Sequence, residues 1–441
     1  VRILLPVHHF PPRYSAGAEL YTLRLAKGLL GRGHQVEVVC VESISQGDDR
    51  LTVVRDEYEG VPVWRLSFDL FGPVRRRWNH ANPLLRDWFA QYARDHRPDL
   101  AHFQAGYLLG ATPLEALAGA GVPTVLTLHD YWFVCPRITL LRGDGTLCER
   151  VPDDPGGCAW CMRLERRRVR AADRLSGGLL GALARPLLPE RREIAERRAH
   201  LLPALGLPGA VVAPSHFLAR QYAPYVPAER LHVLRLGLDL TPFRAQTRPP
   251  SGEALVLGYV GQIAPHKGLH LLVEAFRLLP AGPRPVELHI HGGLEAHPDY
   301  VARVRALAGG DPRIRFHGRF ENRRVAEILS GLDATVVPST WYENSPLAIL
   351  EAHAAGTPVV TSAMGGMAEL VRDGVDGLHF APGDPRDLAR QLRRLAEQPD
   401  LLAALQRGVV SPWSIEEEQE HLLEIYRRVQ IAAAPPVLRS E

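Results

Sequence analysis

The chain has 441 residues, of which 46% are apolar and 23% charged, with a formal net charge of +3 at pH 7. A length of this order points to two domains of about 200 residues, with enough apolar material for two cores. So small a net charge gives no argument for nucleic acid, and no run approaches a membrane span, so a soluble cytoplasmic enzyme is expected.

The N-terminus opens on a buried-type strand, Arg2–Val7, with no signal-peptide cleavage pattern, and a polar loop runs from His8 to Gly17. Glu19–Leu30 has helical periodicity, closed by Gly31 and Gly33. Gln35–Cys40, Pro62–Leu66, Asp99–Phe103, Thr124–His129 and Ala210–Ser215 read as further strands. Between Cys161 and Leu207 the pattern changes to Arg- and Leu-rich, including Arg166-Arg167-Arg168-Val169-Arg170 and Arg191-Arg192. Helices with basic faces are predicted there, either as solvated surface or as a contact for an acceptor or a membrane surface. A Pro-rich linker, Thr241–Gly252, precedes a second series. That series runs through strand Ala254–Gly261, helix Leu269–Leu279, strand Val286–Gly292, helix Tyr300–Ala308 and strand Arg313–His317. It continues through Val325–Leu329, Asp333–Pro338, Pro346–Ala355, Pro358–Ser362 and Asp387–Ala396 to an amphipathic helix, Ser414–Val429. Such alternation is the pattern of α/β domains with a parallel sheet and helices on both faces. The division expected is 1–240, with a Cys-rich insert at 135–161 and a basic helical region at 162–207, then 241–412, a terminal helix at 413–430 and a tail at 431–441.

Two carboxylates, Glu343 and Glu351, stand eight apart around a strand-to-helix turn. Pro346 suits a first helical turn, and Leu347 offers an N–H that Pro346 lacks. The positive end of that helix is an anion site, so one carboxylate reaches a sugar on one side of a phosphate and the other a ribose. The sequence has only two lysines, Lys27 and Lys267, a bias of the kind a GC-rich bacterial genome produces. A lysine kept under that bias, in the glycine-flanked loop Gly261–Gly268 between a strand and a helix, is suited to neutralising a diphosphate. His129, beside Asp130, stands at a strand end, where α/β sheets place ligands. Cys135, Cys148, Cys158 and Cys161 fall within 27 residues and end in C-x-x-C, compatible with a structural zinc site or with reduced structural thiols. Cys40, in a strand, reads as core.

Several motifs share an order and spacing that resembles glycosyltransferase family 4. They are Gly17-Ala18-Glu19, Gly261–Gly268, Glu343–Glu351, Gly365-Gly366-Met367-Ala368-Glu369, Asp373-Gly374 and Asp376-Gly377, supported by Pro214-Ser215 and Gly237-Leu238-Asp239. The resemblance implies GT-B architecture, with two facing Rossmann-like domains built on parallel sheets. The first would be the acceptor side and the second the donor side, with the terminal helix packing back on the first. It implies a retaining transferase that moves a sugar from a nucleoside-diphosphate sugar to an acceptor in polysaccharide, glycolipid or small-molecule glycoside synthesis. The leaving diphosphate would help deprotonate an acceptor attacking from the front face, and domain closure would keep water out. Carried over by position, Glu343 touches donor sugar hydroxyls and Glu351 the ribose, while Ser345 and the backbone at Pro346 and Leu347 hold sugar or phosphate oxygens. Gly261, Gln262 and Lys267 meet the diphosphate, Gly17 and Glu19 form the opposing first loop, and His129 touches the transferred sugar. Two positions depart from the family pattern: Gln262 replaces an arginine and Ala16 a glycine. No D-x-D occurs, so no divalent metal is expected at the diphosphate, and no nucleic-acid partner is expected. The basic region would place the protein peripherally at the inner face of a membrane. Two rivals share the scaffold: a nucleotide-sugar epimerase and a non-catalytic nucleotide-sugar-binding subunit. A dinucleotide oxidoreductase is disfavoured, because no G-x-G-x-x-G follows the first strand.

Overall fold

The computed structural model describes residues 1–14, 17–47, 49–71, 75–246, 252–280, 282 and 284–433. Ala16, the linker residues 247–251 and the tail from 434 lie outside the described residues. The chain forms two compact units, one of Val1–Arg235 with Ile415–Glu441 and the other of Leu236–Ser414.

The first unit holds β1 (Arg2–Val7), β2 (Gln35–Ser43), β3 (Thr52–Tyr58), β4 (Val61–Ser67), β5 (Leu100–Phe103), β6 (Thr124–Thr127), β7 (Ala210–Ala213) and β8 (Leu231–Val233). They form one sheet in the order β3-β4-β2-β1-β5-β6-β7-β8. Apolar runs such as Ile3-Leu4-Leu5 are buried, as helices on both faces require. The sheet is not wholly parallel. β3 runs antiparallel to β4 through a two-residue turn at Glu59 (φ 49°) and Gly60 (φ 79°), the positive φ pair of a type I′ hairpin. β3 escaped the sequence reading because it is an exposed edge strand whose Arg55, Asp56 and Glu57 carry no apolar period. Helix Ile415–Ala433 belongs to this unit and is docked through buried polar contacts. Tyr21 donates to Glu418 Oε1 at 2.6 Å, and the Tyr426 hydroxyl lies 2.6 Å from His102 Nδ1. Helix Gly17–Gly31 approaches so closely that a Cβ on Gly28 would stand 1.9 Å from Gln419 Nε2. The terminal helix runs on to Ala433, so the first three residues of the expected tail are helical.

The second unit holds β9 (Leu255–Val260), β10 (Val286–His291), β11 (Ile314–Gly318), β12 (Ala334–Val337), β13 (Val359–Ser362) and β14 (Gly377–Phe380). All are parallel, in the order β11-β10-β9-β12-β13-β14, around a core that includes Leu257, Leu272, Phe276, Leu288, Ile290, Val336 and Leu392. Its ends are tied together: Leu238 N donates to Trp413 O at 2.9 Å, and Leu238 bridges Ser414. The unit therefore begins at Leu236 and ends at Ser414, a few residues outside the span 241–412 read from the sequence. Each sheet reverses its winding beside its first strand, between β1 and β5 and between β9 and β12. Loops leaving such a switch point diverge and open a crevice at the carboxyl ends of the strands. Among the described residues no helix is long and apolar enough to cross a membrane.

Candidate functional site

At the switch point of the second unit, the loop after β9 is pinned to its neighbours backbone against backbone. Gly261 takes φ +149°, and a Cβ on Gly292 would stand 2.2 Å from Gly261 O. The loop then makes a 3₁₀ turn, Pro265–Lys267, into Gly268 (φ +73°), where a Cβ would stand 1.9 Å from Pro338 O beyond β12. Thr340 N donates to His266 O at 2.9 Å across the same seam. Lys267 Nζ is thereby carried to 2.6 Å from Glu343 Oε1. That oxygen also accepts Ser339 Oγ and Trp341 Nε1, each at 2.9 Å. Glu343 is 6% exposed, whereas the Lys267 side chain keeps 27% of its surface open, so an ammonium with three donors spends one here and turns the rest outward.

Helix Leu347–Ala354 begins just past this pair, with Pro346 as its N-cap (φ −65°, ψ 118°), one position earlier than the first-turn place read from the sequence. Leu347 is therefore the first helical residue with a free-standing N–H aimed along the axis. Ser345 Oγ is buried and has no hydrogen-bond partner among the described residues. Behind the turn, Gly366 N donates to Glu343 O at 2.7 Å, and a Cβ on Gly366 would stand 1.8 Å from Asn344 O. Glu351 lies half-buried one turn inside the helix. The Gln262 side chain is exposed, and its backbone carbonyl accepts Tyr259 Oη–H at 2.6 Å. A cation with spare donors, first-turn N–H groups and an unpartnered hydroxyl at one switch point suit an anionic ligand that also carries hydroxyls.

In the first unit, His8 follows β1, Gln104 follows β5, and His129 lies two residues past β6, which ends at Thr127 and not at His129 as expected. Glu19, in the first turn of helix Gly17–Gly31, is 4% exposed, and its Oε1 lies 3.1 Å from His8 Nε2. It is thus more than a carboxylate placed by the helix dipole. Burial pushes the Glu19 carboxyl up, but the His8 hydrogen bond and charge outweigh it and leave the group below the usual carboxylate range. Among the described residues, Glu19 Oε2 and His8 Nδ1, both buried, have no hydrogen-bond partner. His129 Nε2 lies 3.3 Å from Gln104 Oε1, with its ring edge-on to Tyr21. Burial, then the nearby His8, lowers the His129 pKa to about 4, so the imidazole is neutral at pH 7. A Cβ on Gly17 would meet nothing within 4 Å, so open space lies in front of this loop. Asp130 is turned into the local backbone, accepting Trp132 N at 2.8 Å.

The four clustered cysteines converge from three segments on one cavity of about 20 Å³. Cys135 comes from the loop after β6, Cys148 from beside the Leu141–Leu147 bridge, and Cys158 and Cys161 from helix Pro155–Arg163. All are thiols, and burial pushes Cys148 up to about 11. Four thiols around a space for one ion match a zinc site in donor type. Their sulfurs are not drawn together, however: Cys148 Sγ lies 3.2 Å from Arg150 O, and Arg198 Nη2 donates to Cys158 Sγ at 3.1 Å. Cys40 is fully buried core.

Sequence reasoning missed His8, Ser339 and Trp341, which complete the two carboxylate pairs. The signal available for His8 was its place immediately after the first strand. It also missed His289, His291 and His317, whose ligand atoms lie within 4.8 Å of one another on the less buried face of β10 and β11. The alternating His-x-His in a strand was the cue.

A model described as Glycosyltransferase Family 4 matches residues 15–241, and one described as Glycosyl transferases group 1 matches residues 242–408. A D-inositol 3-phosphate glycosyltransferase of Geodermatophilus obscurus is 35% identical over 226 residues, covering 47% of this chain and 50% of the relative. The chain spans about half the length of the D-inositol 3-phosphate glycosyltransferases it matches. A glycogen synthase of Mycobacterium tuberculosis is 28% identical over 425 residues, covering 92% and 88% of the two chains. Among solved structures, the sucrose-phosphate synthase of Thermosynechococcus elongatus superposes with a TM-score of 0.65 at 20% identity, covering 98% and 100%. Anabaena Alr3699/HepE in complex with UDP and glucose gives 0.62 at 20% identity, covering 96% and 98%. These likenesses show the fold, which is the GT-B architecture of two α/β units.

Proposed function

We propose that this chain, which belongs to glycosyltransferase family 4, moves a sugar from a nucleoside-diphosphate donor to an acceptor hydroxyl with retention of anomeric configuration. The observation that carries the reading is the Lys267–Glu343 pair at 2.6 Å on the β9/β12 switch point, beside the buried, unpartnered Ser345 Oγ and the start of helix Leu347–Ala354. In this assignment Lys267 and the first-turn N–H groups take the diphosphate, so the leaving group departs toward positive charge already in place. Glu343 accepts from sugar hydroxyls with its remaining lone pairs, Ser345 adds a short hydroxyl contact, and Glu351 takes the ribose. In the first unit, Glu19 and neutral His129 offer hydroxyl-binding groups of opposite hydrogen-bonding capacity. The match to a structure of HepE with UDP and glucose supports a nucleotide-sugar donor.

No divalent cation is assigned to the diphosphate, because the sequence has no D-x-D and the cationic groups above supply the charge. We assign zinc at the four cysteines a structural role, holding together an insert with little regular structure of its own. A panel of nucleoside-diphosphate sugars, screened for donor hydrolysis and transfer with the product anomer read by NMR, tests the assignment. A retained anomer supports it. Inversion, epimerised sugar from donor alone, or no turnover with any donor overturns it.

A further inference from the structure

The basic insert of the first unit forms a helical hairpin that buries almost nothing. Helix Arg167–Leu175 has no buried residue. Gly177 (φ +59°) and Gly178 (φ +85°) turn the chain into helix Leu179–Ala184, which continues as the 3₁₀ turn Arg185–Leu187. The hairpin is nonetheless built and held. Gly181 N donates to Asp173 Oδ1 at 3.0 Å, and Leu180 N donates to Ser176 Oγ at 3.1 Å. A Cβ on Gly181 would stand 2.5 Å from Trp160 Nε1, so the second helix lies flush on the small core of Trp160, Leu164, Leu188 and Ile194.

What this scaffold presents outward is unusual in composition. Leu175 is 90% exposed, Leu179 61%, Leu180 39%, Leu183 67% and Leu187 83%. Leu179 and Leu183, four residues apart, share one side of the second helix, and Leu187 closes the 3₁₀ turn that follows it. Isolated exposed leucines need no explanation, but a row of them on an ordered hairpin does. Charge is gathered around the row. Residues 163–192 contain nine arginines against Glu165, Asp173 and Glu190, a net of +6 (9 − 3), while the whole chain carries +3, leaving −3 for everything else. Some of these arginines are engaged: Arg163 pairs with Glu190 and Arg191 with Asp154. Arg166, Arg167, Arg168 and Arg174 are exposed and make no ion pair or side-chain hydrogen bond with the described residues.

We propose that the hairpin 166–187 is a docking surface for an anionic lipid bilayer, with the leucine row entering the headgroup boundary and the free arginines meeting lipid phosphates. Apolar side chains ridged among unpaired arginines fit that boundary on both counts: the leucines leave water, and the guanidinium groups find bidentate phosphate partners. A protein partner or a second copy of this chain would need negative charge in register with four arginines. The surface does not depend on the sugar-transfer reading and can fail or hold independently of it.

The test is cosedimentation of the full chain with extruded vesicles at about 0.1 M salt, where charges within roughly 10 Å still interact. Vesicles of phosphatidylcholine with phosphatidylglycerol should pellet the protein, and phosphatidylcholine alone should bind it at least roughly tenfold more weakly. The variant Leu179→Ser/Leu183→Ser/Leu187→Ser, built on exposed positions and checked by circular dichroism, should lose binding by a similar factor. Arg166→Gln/Arg167→Gln/Arg168→Gln should lose the preference for anionic vesicles while keeping its thermal melt. Absence of pelleting, equal binding to both vesicle types, or leucine and arginine variants that pellet like wild type would each overturn the proposal. A concentration-dependent dimer abolished by the leucine variant, without vesicle binding, would assign the surface to a second copy instead.

Discussion

Lys267→Ala and Glu343→Gln, alone and combined, separate an ion pair that only braces a loop from one that works on a donor. Glu343 is 6% exposed, and its Oε1 takes three donors, from Lys267, Ser339 and Trp341. Removing the ammonium leaves an interior carboxylate with two neutral donors on that oxygen. Breaking a fully buried pair in this way costs about 3–5 kcal/mol. Lys267 keeps 27% of its side chain exposed, so water enters the space and the loss expected is about 1–2 kcal/mol. Glu343→Gln keeps the shape and leaves an ammonium that solvent can take up, for a loss of about 1 kcal/mol. Because the two groups touch, the double variant should cost less than the sum of the single ones. Urea unfolding gives these numbers. If the pair were only a brace, activity would fall in step with the folded fraction. In the proposed reading the losses are far larger: kcat/KM for the donor falls about 10²–10³-fold in Lys267→Ala under fully folded conditions. Glu343→Gln should lower kcat more than it raises the donor KM. Initial rates at limiting donor decide, and values within about threefold of wild type for both variants would refute the assignment.

Ser345→Ala should leave the urea midpoint unchanged, since Ser345 Oγ has no protein partner to lose, and should raise the donor KM by about tenfold; an unchanged KM removes Ser345 from the site. Gly268→Ala should destabilise by about 3 kcal/mol or more, because a Cβ there meets Pro338 O at 1.9 Å on a backbone of φ +73°; a stability loss under about 1 kcal/mol would show that the two loops are not locked together. Burial lowers His129 to about 4 and His102 to about 3, against about 6.5 in an unfolded chain. The unfolded chain then binds more protons between these values, so stability is full above pH 6.5 and falls as pH drops toward 4, by up to about 1.4 kcal/mol per pH unit per histidine. Urea unfolding across this range should show a shallower slope in His102→Gln, and an unaltered slope would refute the account. Purified protein should contain about one zinc per chain, and chelation should lower the melting temperature in the wild type but not in Cys158→Ser/Cys161→Ser. Zinc at trace level only, or equal chelator sensitivity in both, would leave the cysteines as plain thiols.

The fold was legible wherever a buried strand carries an unbroken apolar run. β1 and β10 were found to within a residue, because burial on both faces of a parallel sheet writes itself into composition. β3 was not found, since an edge strand packs on one side at most: Asp56 accepts from Arg65, Arg55 donates to Glu37, and the strand carries no apolar period. The donor-side motif was legible because a glycine-flanked lysine and a proline-led turn are local signals. Its completion was not. Ser339 and Trp341 reach one oxygen of Glu343 from within the same irregular loop, whose turns no periodicity encodes, and Gly366 reaches a carbonyl more than twenty residues away in sequence, which it meets only when β12 and β13 lie side by side. His8–Glu19 was missed for the same reason: helix Gly17–Gly31 must fold back over β1 before the pair exists.

The two switch points are built alike and charged differently. Each sets an interior carboxylate against a nitrogen base carried by the loop after the first strand of its sheet: Glu19 against His8 after β1, and Glu343 against Lys267 after β9. In the second unit the base is an ammonium, with two of its three donors left over, beside a helix N-terminus and an unpartnered hydroxyl. Such a site gains from an anion and has no use for a proton exchange. In the first unit the nitrogen groups are imidazoles, one of them held neutral by burial, and the spare Glu19 oxygen is an acceptor. Such a site repels an anion and accepts hydroxyl donors. In the proposed reading, the character of the second unit suits a diphosphate and that of the first suits an alcohol. Exchanging the characters should therefore cost more than deleting either one. A Lys267→His chain should lose donor affinity at pH 8 relative to pH 6, whereas the wild-type protein should not, and donor KM measured at both values separates the two cases.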